Sequence, residues 1–226
     1  MNTAKITEIF TSIQGEGPYV GVKQVFVRFA GCHIDCAWCD TPFKNDPGKE
    51  YSAEQLQQEI ASLNCVGCHS LSLTGGEPLL QKDFLKEILP VIKRMKFKVY
   101  LETNGILYEE LTKLISGIDI IAMDFKLPSS AKAGVFWKEH EEFLKIAHRK
   151  EVFVKAVISR DTEEEDIRKT VKIMASVDPS ILLVLQPNAL DGKVVVRKCI
   201  QYQKACLKKL SDVRIIPQMH KVLGIR

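Results

Sequence analysis

The stretch Cys32-His33-Ile34-Asp35-Cys36-Ala37-Trp38-Cys39 constrains this chain more than any other. It spaces three cysteines as C-x3-C-x2-C, directly after the apolar run Val25-Phe26-Val27-Arg28-Phe29. Three thiolates can hold three irons of a four-iron, four-sulfur cluster, which four cysteines normally hold. The fourth iron is then open, and an open position is where a metal site does chemistry. Two plainer readings stand beside this one: three buried thiols, or a zinc site. Structural zinc takes four ligands, often as two CxxC-type pairs. His33 could be the fourth, but its place beside Cys32 strains a tetrahedral site.

Composition narrows the setting. The 226 residues suffice for one large domain or two small ones, and 46% hydrophobic residues is ordinary for a globular chain. The net charge of +4 is mild, and no run of consecutive Lys/Arg makes a case for nucleic acid. Met1-Asn2-Thr3-Ala4-Lys5 leads straight into a strand-like run, so neither a signal peptide nor a membrane span is expected. Seven cysteines, an odd number, argue for metal rather than disulfides and for a reducing cytoplasm.

Along the chain, residues 5–13 and 25–29 read as strands of an antiparallel hairpin with a long tip at Gln14-Gly15-Glu16-Gly17-Pro18. After the cysteine loop, helices and short apolar strands alternate. Helices are expected from a capping box at Ser52–Gln55 onward, then over 81–95 with Pro90 as a kink, 108–115, 136–149, 163–175 with Thr162 as its cap, and 194–210. Strands are expected at 71–74, 98–102, 118–124, 152–158, 181–185 and 213–216. That alternation means a parallel sheet with right-handed crossovers. About six βα units are too few for a closed eight-unit barrel. The expectation is one α/β domain over 1–226, a partial (β/α)6 TIM-like barrel with an N-terminal β-hairpin.

In such a fold the site lies at the carboxyl ends of the strands. Those ends carry the three cysteines, then Gly75-Gly76-Glu77-Pro78, Thr103-Asn104, Asp124 and Lys126, Gln186-Pro187-Asn188, and His220. Polar groups thus gather where the fold places a pocket, while the strands themselves are apolar. Two adjacent glycines let backbone approach a ligand closely. A plain strand-to-helix turn would explain Gly75-Gly76-Glu77-Pro78 alone equally well.

C-x3-C-x2-C with Trp38 before the last cysteine, followed some 40 residues on by Gly-Gly-Glu-Pro, resembles the radical S-adenosylmethionine (SAM) enzymes. In that superfamily SAM itself chelates the open iron. The combination of I-Q-G-E-G-P, V-F-V-R-F-A-G-C, W-C-D-T, T-G-G-E-P-L-L-Q, E-T-N-G and Q-M-H-K resembles the 7-carboxy-7-deazaguanine synthase family, from about Ile9 to the C-terminus. The resemblance implies a lyase that converts 6-carboxy-5,6,7,8-tetrahydropterin to 7-carboxy-7-deazaguanine with loss of ammonia, toward queuosine and other deazapurines. It implies a [4Fe-4S] cluster on Cys32, Cys36 and Cys39, SAM as a regenerated cofactor, and Mg2+ on Thr41. SAM would be lined by Trp38, Cys39, Asp40, Gly76, Glu77, Asp124, Phe125, Lys126, Gln186, Pro187, Asn188 and Ala189. The pterin would meet Ile13, Gln14, Gly15, Glu16, Arg28, Thr74, His220 and the terminal carboxylate of Arg226. A guanine-like edge offers donors to a carboxylate, and an Arg fork grips a carboxylate. An external, flavodoxin-like electron donor and a homodimer are also implied.

Other polar residues are expected to be bystanders. Cys65 and Cys68 form a CxxC at the opposite barrel end, read as incidental thiols. Cys199 and Cys206 share a helix face and belong to the core. Glu163 to Asp166 reads as a solvated helix start, His140 and His148 as surface residues, and Phe136-Trp137 as packing for an insert or a dimer contact. Two rival functions remain at this level: an activase for a glycyl-radical enzyme, and a non-catalytic zinc or iron–sulfur module.

Overall fold

The computed structural model describes residues 2–39 and 46–225. One sheet organises them. Strands β1 (Thr3–Ile13) and β2 (Lys23–Phe29) form the expected antiparallel hairpin. Strand β3 (Lys49–Ser52), which the sequence pattern did not announce, pairs antiparallel with the outer side of β1. Then follow β4 (Ser70–Gly75), β5 (Lys98–Thr103), β6 (Ile120–Asp124), β7 (Glu151–Ile158), β8 (Leu183–Pro187) and β9 (Val213–Ile215). The strand order is β3-β1-β2-β4-β5-β6-β7-β8-β9, and each pairing from β2 to β9 is parallel. Seven parallel strands joined by six crossovers leave both sheet edges open, so the barrel is partial, as expected.

The helices that make the crossovers are α1 (Ala53–Ser62), α2 (Lys82–Arg94), α3 (Tyr108–Leu114), the short α4 (Pro128–Ala131), α5 (Trp137–Ala147), α6 (Glu164–Val177) and α7 (Lys193–Cys206). A final short helix, α8 (Met219–Leu223), follows β9. Ser52 and Gln55 form the capping box at α1. Helix α2 shows why its sequence is helical: Phe84, Leu85, Ile88, Leu89 and Ile92 fall on one buried stripe at helical spacing. It runs past Pro90, which lies on the exposed side. The central strands β4 and β6 are buried almost throughout, as parallel strands covered on both faces must be. Among the described residues, no helix is long and apolar enough to cross a membrane.

Three local expectations are corrected. His140 is not on the surface: it is 1% exposed inside α5, and Phe136 and Trp137 pack edge-on against it. Thr162 does not cap α6. Its hydroxyl accepts the Ser159 N–H at 2.8 Å, and the N-cap position falls to Glu163. Asp166 is not solvated either: it is buried and accepts from the Ser129 N–H at 2.9 Å. His140 meets the loop after β5, Asp166 meets α4, and Thr162 closes its own turn, contacts that periodicity does not report. His148 is exposed, and Cys199 and Cys206 are in the core, as read. The thiols of Cys65 and Cys68 are half-buried in the loop that enters β4, at the amino ends of the parallel strands.

The junction of β2 and β4 places the cysteine loop. The Gly76 N–H donates to Phe29 O at 3.0 Å, and the Glu77 N–H to Gly31 O at 2.9 Å. A Cβ on Gly76 would sit 1.7 Å from Gly31 O, so only glycine fits there. Gly76→Ala is expected to push the two loops apart at a cost of at least about 1–3 kcal/mol. A urea melt of the apoprotein checks this through a lowered midpoint.

Candidate active site

The cysteine loop closes over the carboxyl ends of the strands. The Ala37 N–H donates to Ala131 O at 2.8 Å, which ties the loop to α4. Trp38 Nε1 donates to Ser130 Oγ at 3.2 Å, and Ser130 in turn donates to Val157 O at 2.8 Å. Lys126 Nζ lies 4.6 Å from the centre of the Trp38 ring. The thiols of Cys32, Cys36 and Cys39 form no disulfide among the described residues and border one cavity of about 480 Å³. Burial pushes the Cys36 thiol up to about 11 and raises Cys32, against the opposing charge of Lys126. Binding a metal as thiolates would therefore release protons. Among the described residues, no group of three His, Cys, Asp or Glu is arranged to hold a single metal ion. Three cysteines that each hold a separate iron do not need to converge on one point.

Below the loop, charges of alternating sign run across the barrel. Lys126 pairs with Asp124 at 2.9 Å, Lys155 with Asp124 at 3.2 Å, and Lys155 also with Glu16. Glu16 sits on the hairpin tip, Asp124 and Lys126 at the end of β6, and Lys155 on β7. Glu16 also accepts from Gln218 at 2.8 Å and Gln186 at 3.3 Å. Burial would raise the Glu16 carboxyl, but the Lys155 ammonium and Gln218 hold it down at about 2. Burial likewise opposes the Lys155 charge, and Asp124 with Glu16 raises its pKa instead. These four groups are mutually neutralised.

A second wall carries Glu102, on β5. It accepts from Thr74 Oγ1 at 2.6 Å, Gln14 Nε2 at 2.8 Å and Ser72 Oγ at 3.3 Å. All three donors are neutral, so its negative charge faces the cavity without a salt bridge among the described residues. At the outer side Arg28 pairs with Glu8 at 2.7 Å and lies 6.0 Å from the Phe10 ring centre. The hairpin tip is pinned from above. The Met219 N–H donates to Gly15 O at 2.8 Å, and a Cβ on Gly15 would strike His220.

Among the described residues, three buried polar atoms on this cavity have no hydrogen-bond partner: Asn104 Nδ2, Asp124 Oδ1 and Gln186 Oε1. Buried polar groups in native structures are almost always paired. Three orphans of mixed donor and acceptor character fit a polar ligand with its own donors and acceptors. The three cysteine thiols and this wall together suit a cluster with SAM, whose amino-acid end is zwitterionic and whose ribose carries hydroxyls.

The cavity gathers Ile13, Gln14, Gly15, Glu16, Arg28, Cys32, Cys36, Trp38, Cys39, Thr74, Gly76, Asp124, Lys126, Gln186, Asn188 and His220. Glu77, Phe125, Pro187 and Ala189 do not border it. Glu77 is fully buried behind the wall, where its carboxylate accepts from Thr103 Oγ1 at 3.0 Å and from the Asn104 and Leu79 N–H groups. Burial pushes its carboxyl up to about 7. Its place there is to brace the turn. Phe125 and Pro187 are buried and Ala189 is exposed. Asp40, Thr41 and Arg226 lie outside the described residues. Sequence reasoning placed Asn104 at this rim without a role and missed Glu102, Lys155 and Gln218, which also border the cavity. For Lys155 and Glu102 a signal existed: a lone charge inside the apolar strands EVFVKAVI and KVYLET.

The comparisons agree with this geometry. The family model described as Radical SAM superfamily matches residues 26–185. The chain is 38% identical over 245 residues to 7-carboxy-7-deazaguanine synthase of Geobacter sulfurreducens, covering 98% of this chain and 97% of the relative. It is 32% identical to the enzyme of the same name from Methanothermobacter thermautotrophicus, covering 99% and 98%. Among solved structures, QueE from Escherichia coli superposes with a TM-score of 0.64 at 20% identity, over 96% of this chain and 95% of that one. That likeness concerns the fold. The chain belongs to the radical SAM superfamily and, within it, to the 7-carboxy-7-deazaguanine synthase family.

Proposed function

We propose that this chain is a lyase that converts 6-carboxy-5,6,7,8-tetrahydropterin to 7-carboxy-7-deazaguanine and ammonia, a step toward 7-deazapurines such as queuosine. The observation that carries this reading is one cavity that joins the three cysteine thiols to a wall of buried charges. Cys32, Cys36 and Cys39 would hold the [4Fe-4S] cluster. Trp38, Gly76, Asp124, Lys126, Gln186 and Asn188 would border SAM. When bound and reduced, this pair supplies one-electron cleavage of SAM and hence a carbon-centred radical able to take a hydrogen atom.

The protein's own work is placement. The pterin would lie between the hairpin tip and β4–β5. Glu102, whose hydrogen-bond donors Thr74, Gln14 and Ser72 are all neutral, suits the N–H and NH2 edge of the pterin, because a carboxylate accepts two such donors in parallel. Arg28 would exchange part of its Glu8 contact for the pterin carboxylate. Gln14, Thr74 and His220 border the same space, and Ile13 and Gly15 close its floor. Lys155 keeps its proton at Nζ and so holds a fixed positive charge between Glu16 and Asp124. That charge joins the pterin wall to the SAM wall and fixes their separation, which hydrogen transfer requires. The loop and α4 cover the top and exclude water from a reactive radical.

Several finer points belong to the same proposal. Thr41 would ligate Mg2+, with Asp40 beside SAM and the Arg226 carboxylate near the pterin. A hard cation held by a hydroxyl and by substrate oxygens is ordinary for magnesium. The chain would act as one domain in a homodimer, in the cytoplasm, reduced by a flavodoxin-like donor.

The first test is anaerobic. Protein reconstituted with iron and sulfide is given SAM, dithionite, Mg2+ and 6-carboxytetrahydropterin, and 7-carboxy-7-deazaguanine is sought by mass. Product is expected from the wild type. Cys36→Ala should lose both the brown colour and the product. A brown protein that cleaves SAM and leaves the pterin intact would sink the substrate assignment. The second test addresses the charge chain. Lys155→Met leaves Glu16 and Asp124 without their shared cation, and removing one partner of a largely buried pair costs about 2–5 kcal/mol. kcat/KM for the pterin should fall at least about tenfold with the iron content unchanged. In the wild type Glu16 stays ionised down to about pH 2, so it contributes no acid limb above pH 5. In Lys155→Met its pKa moves up, and an acid limb should enter the pH–rate profile.

A further inference from the structure

Asn104, just past β5, is 4% exposed and borders the cavity. Its polar atoms can be assigned one by one. The backbone N–H donates to Glu77 Oε2 at 2.8 Å. The backbone O faces His140 Nε2 at 3.1 Å. The side-chain Oδ1 accepts the Ile106 N–H at 3.2 Å. Only Nδ2 is left without a partner. The Ile106 contact decides the amide orientation, because an N–H must meet the oxygen end. The NH2 is therefore the end that remains for a ligand.

His140 explains why Asn104 is held so firmly. Its ring stacks on Phe125 at 4.5 Å and 15°, with Phe136 and Trp137 edge-on at 6.4 Å. Burial pushes its pKa down to about 4, so the ring is neutral. A neutral ring carries one N–H, and the 3.1 Å approach to the Asn104 carbonyl requires it at Nε2. The Lys126 N–H lies 3.4 Å from the same nitrogen and cannot also donate to it. Phe125 immediately precedes Lys126, so one side chain braces the ends of both β5 and β6.

We infer that the Asn104 side-chain amide donates a hydrogen bond to an acceptor oxygen of SAM, and that His140 is a positioning residue that holds Asn104 for this purpose. The inference rests on the reading that this wall binds SAM. Asp124, Lys126 and Gly76 border the same cavity, and its other orphans, Asp124 Oδ1 and Gln186 Oε1, are acceptors. Asn104 would add the donor that those acceptors cannot supply to a carboxylate or a ribose oxygen.

The test is equilibrium dialysis of radiolabelled SAM against anaerobic, cluster-loaded protein without reductant, so that no turnover occurs. Asn104→Asp keeps the acceptor for Ile106 and removes the donor. SAM should bind about tenfold more weakly or worse. Iron content and melting temperature should stay at the wild-type values. His140→Leu should weaken SAM several-fold, and His140→Gln, which keeps an N–H donor, should restore most of that loss. In the double variant Asn104→Asp with His140→Leu, the second change should add nothing, because His140 acts through Asn104. Should Asn104→Asp fail to load its cluster, Asn104→Ser removes the amide without adding charge and carries the same expectation. Wild-type affinity in the Asn104 variants overturns the donor assignment. Fully additive losses in the double variant overturn the positioning role. A cluster-loaded wild type that does not retain SAM at all overturns the reading beneath both.

Discussion

Lys155 is the group on which the rest of the site depends. It stands on an otherwise apolar strand and pairs with a carboxylate from the hairpin tip and another from the end of β6. Buried ion pairs are weak sources of stability, because desolvation offsets most of the attraction. What such a pair does supply is a fixed geometry. Here it brings Glu16, which precedes the cysteine loop in sequence, against Asp124, which lies a hundred residues beyond. Gln186 and Gln218 complete the shell around Glu16, so the tip is held by β7, β8 and the segment before α8 at once. An open barrel lacks the closed ring of strands that positions the residues of a full one. The ion chain substitutes for part of that closure.

The cysteine loop answers to a different constraint, which is backbone contact. Gly75 and Gly76 let β2 and β4 end in close contact, and Glu77 then turns inward to brace Thr103, Asn104 and Leu79. The acid of the Gly-Gly-Glu-Pro turn is thus a scaffold element here. The glycines carry the approach to the cavity. Ala131 and Ser130 on α4 fix the far side of the loop through Ala37 and Trp38. The cysteine loop and the charge wall are consequently positioned by separate devices that meet at Lys126, which touches Trp38 on one side and Asp124 on the other.

Much of this was legible before any coordinates. Alternation of short apolar strands with amphipathic helices gave the partial barrel, and the strand ends gave the cavity's rim. What escaped were residues whose role depends on contacts between distant segments. His140 falls in a helical stretch and looks like a solvated polar residue; only the packing of α5 against β5 and β6 makes it a brace. Glu102 and Lys155 interrupt largely apolar strands, which marks them as buried charges but not which partners they meet. Glu77 was assigned to SAM from its motif, yet the direction of a side chain at a turn is set by the neighbouring strand, which sequence spacing does not carry. Strand β3 is short and polar at an edge, and nothing in its periodicity separates it from a loop.

On the proposed reading, one cavity would hold SAM and the pterin with the reacting atoms in contact. Pterin deuterated at C6 tests it most directly. Turnover under anaerobic conditions, followed by mass analysis of recovered SAM and 5′-deoxyadenosine, reports where that hydrogen goes. Deuterium is expected in the adenosyl fragment, at a level that follows product formation. Product formed with no deuterium in either adenosyl species would contradict it, since the pterin C–H and the SAM carbon would then not share the cavity in the arrangement described.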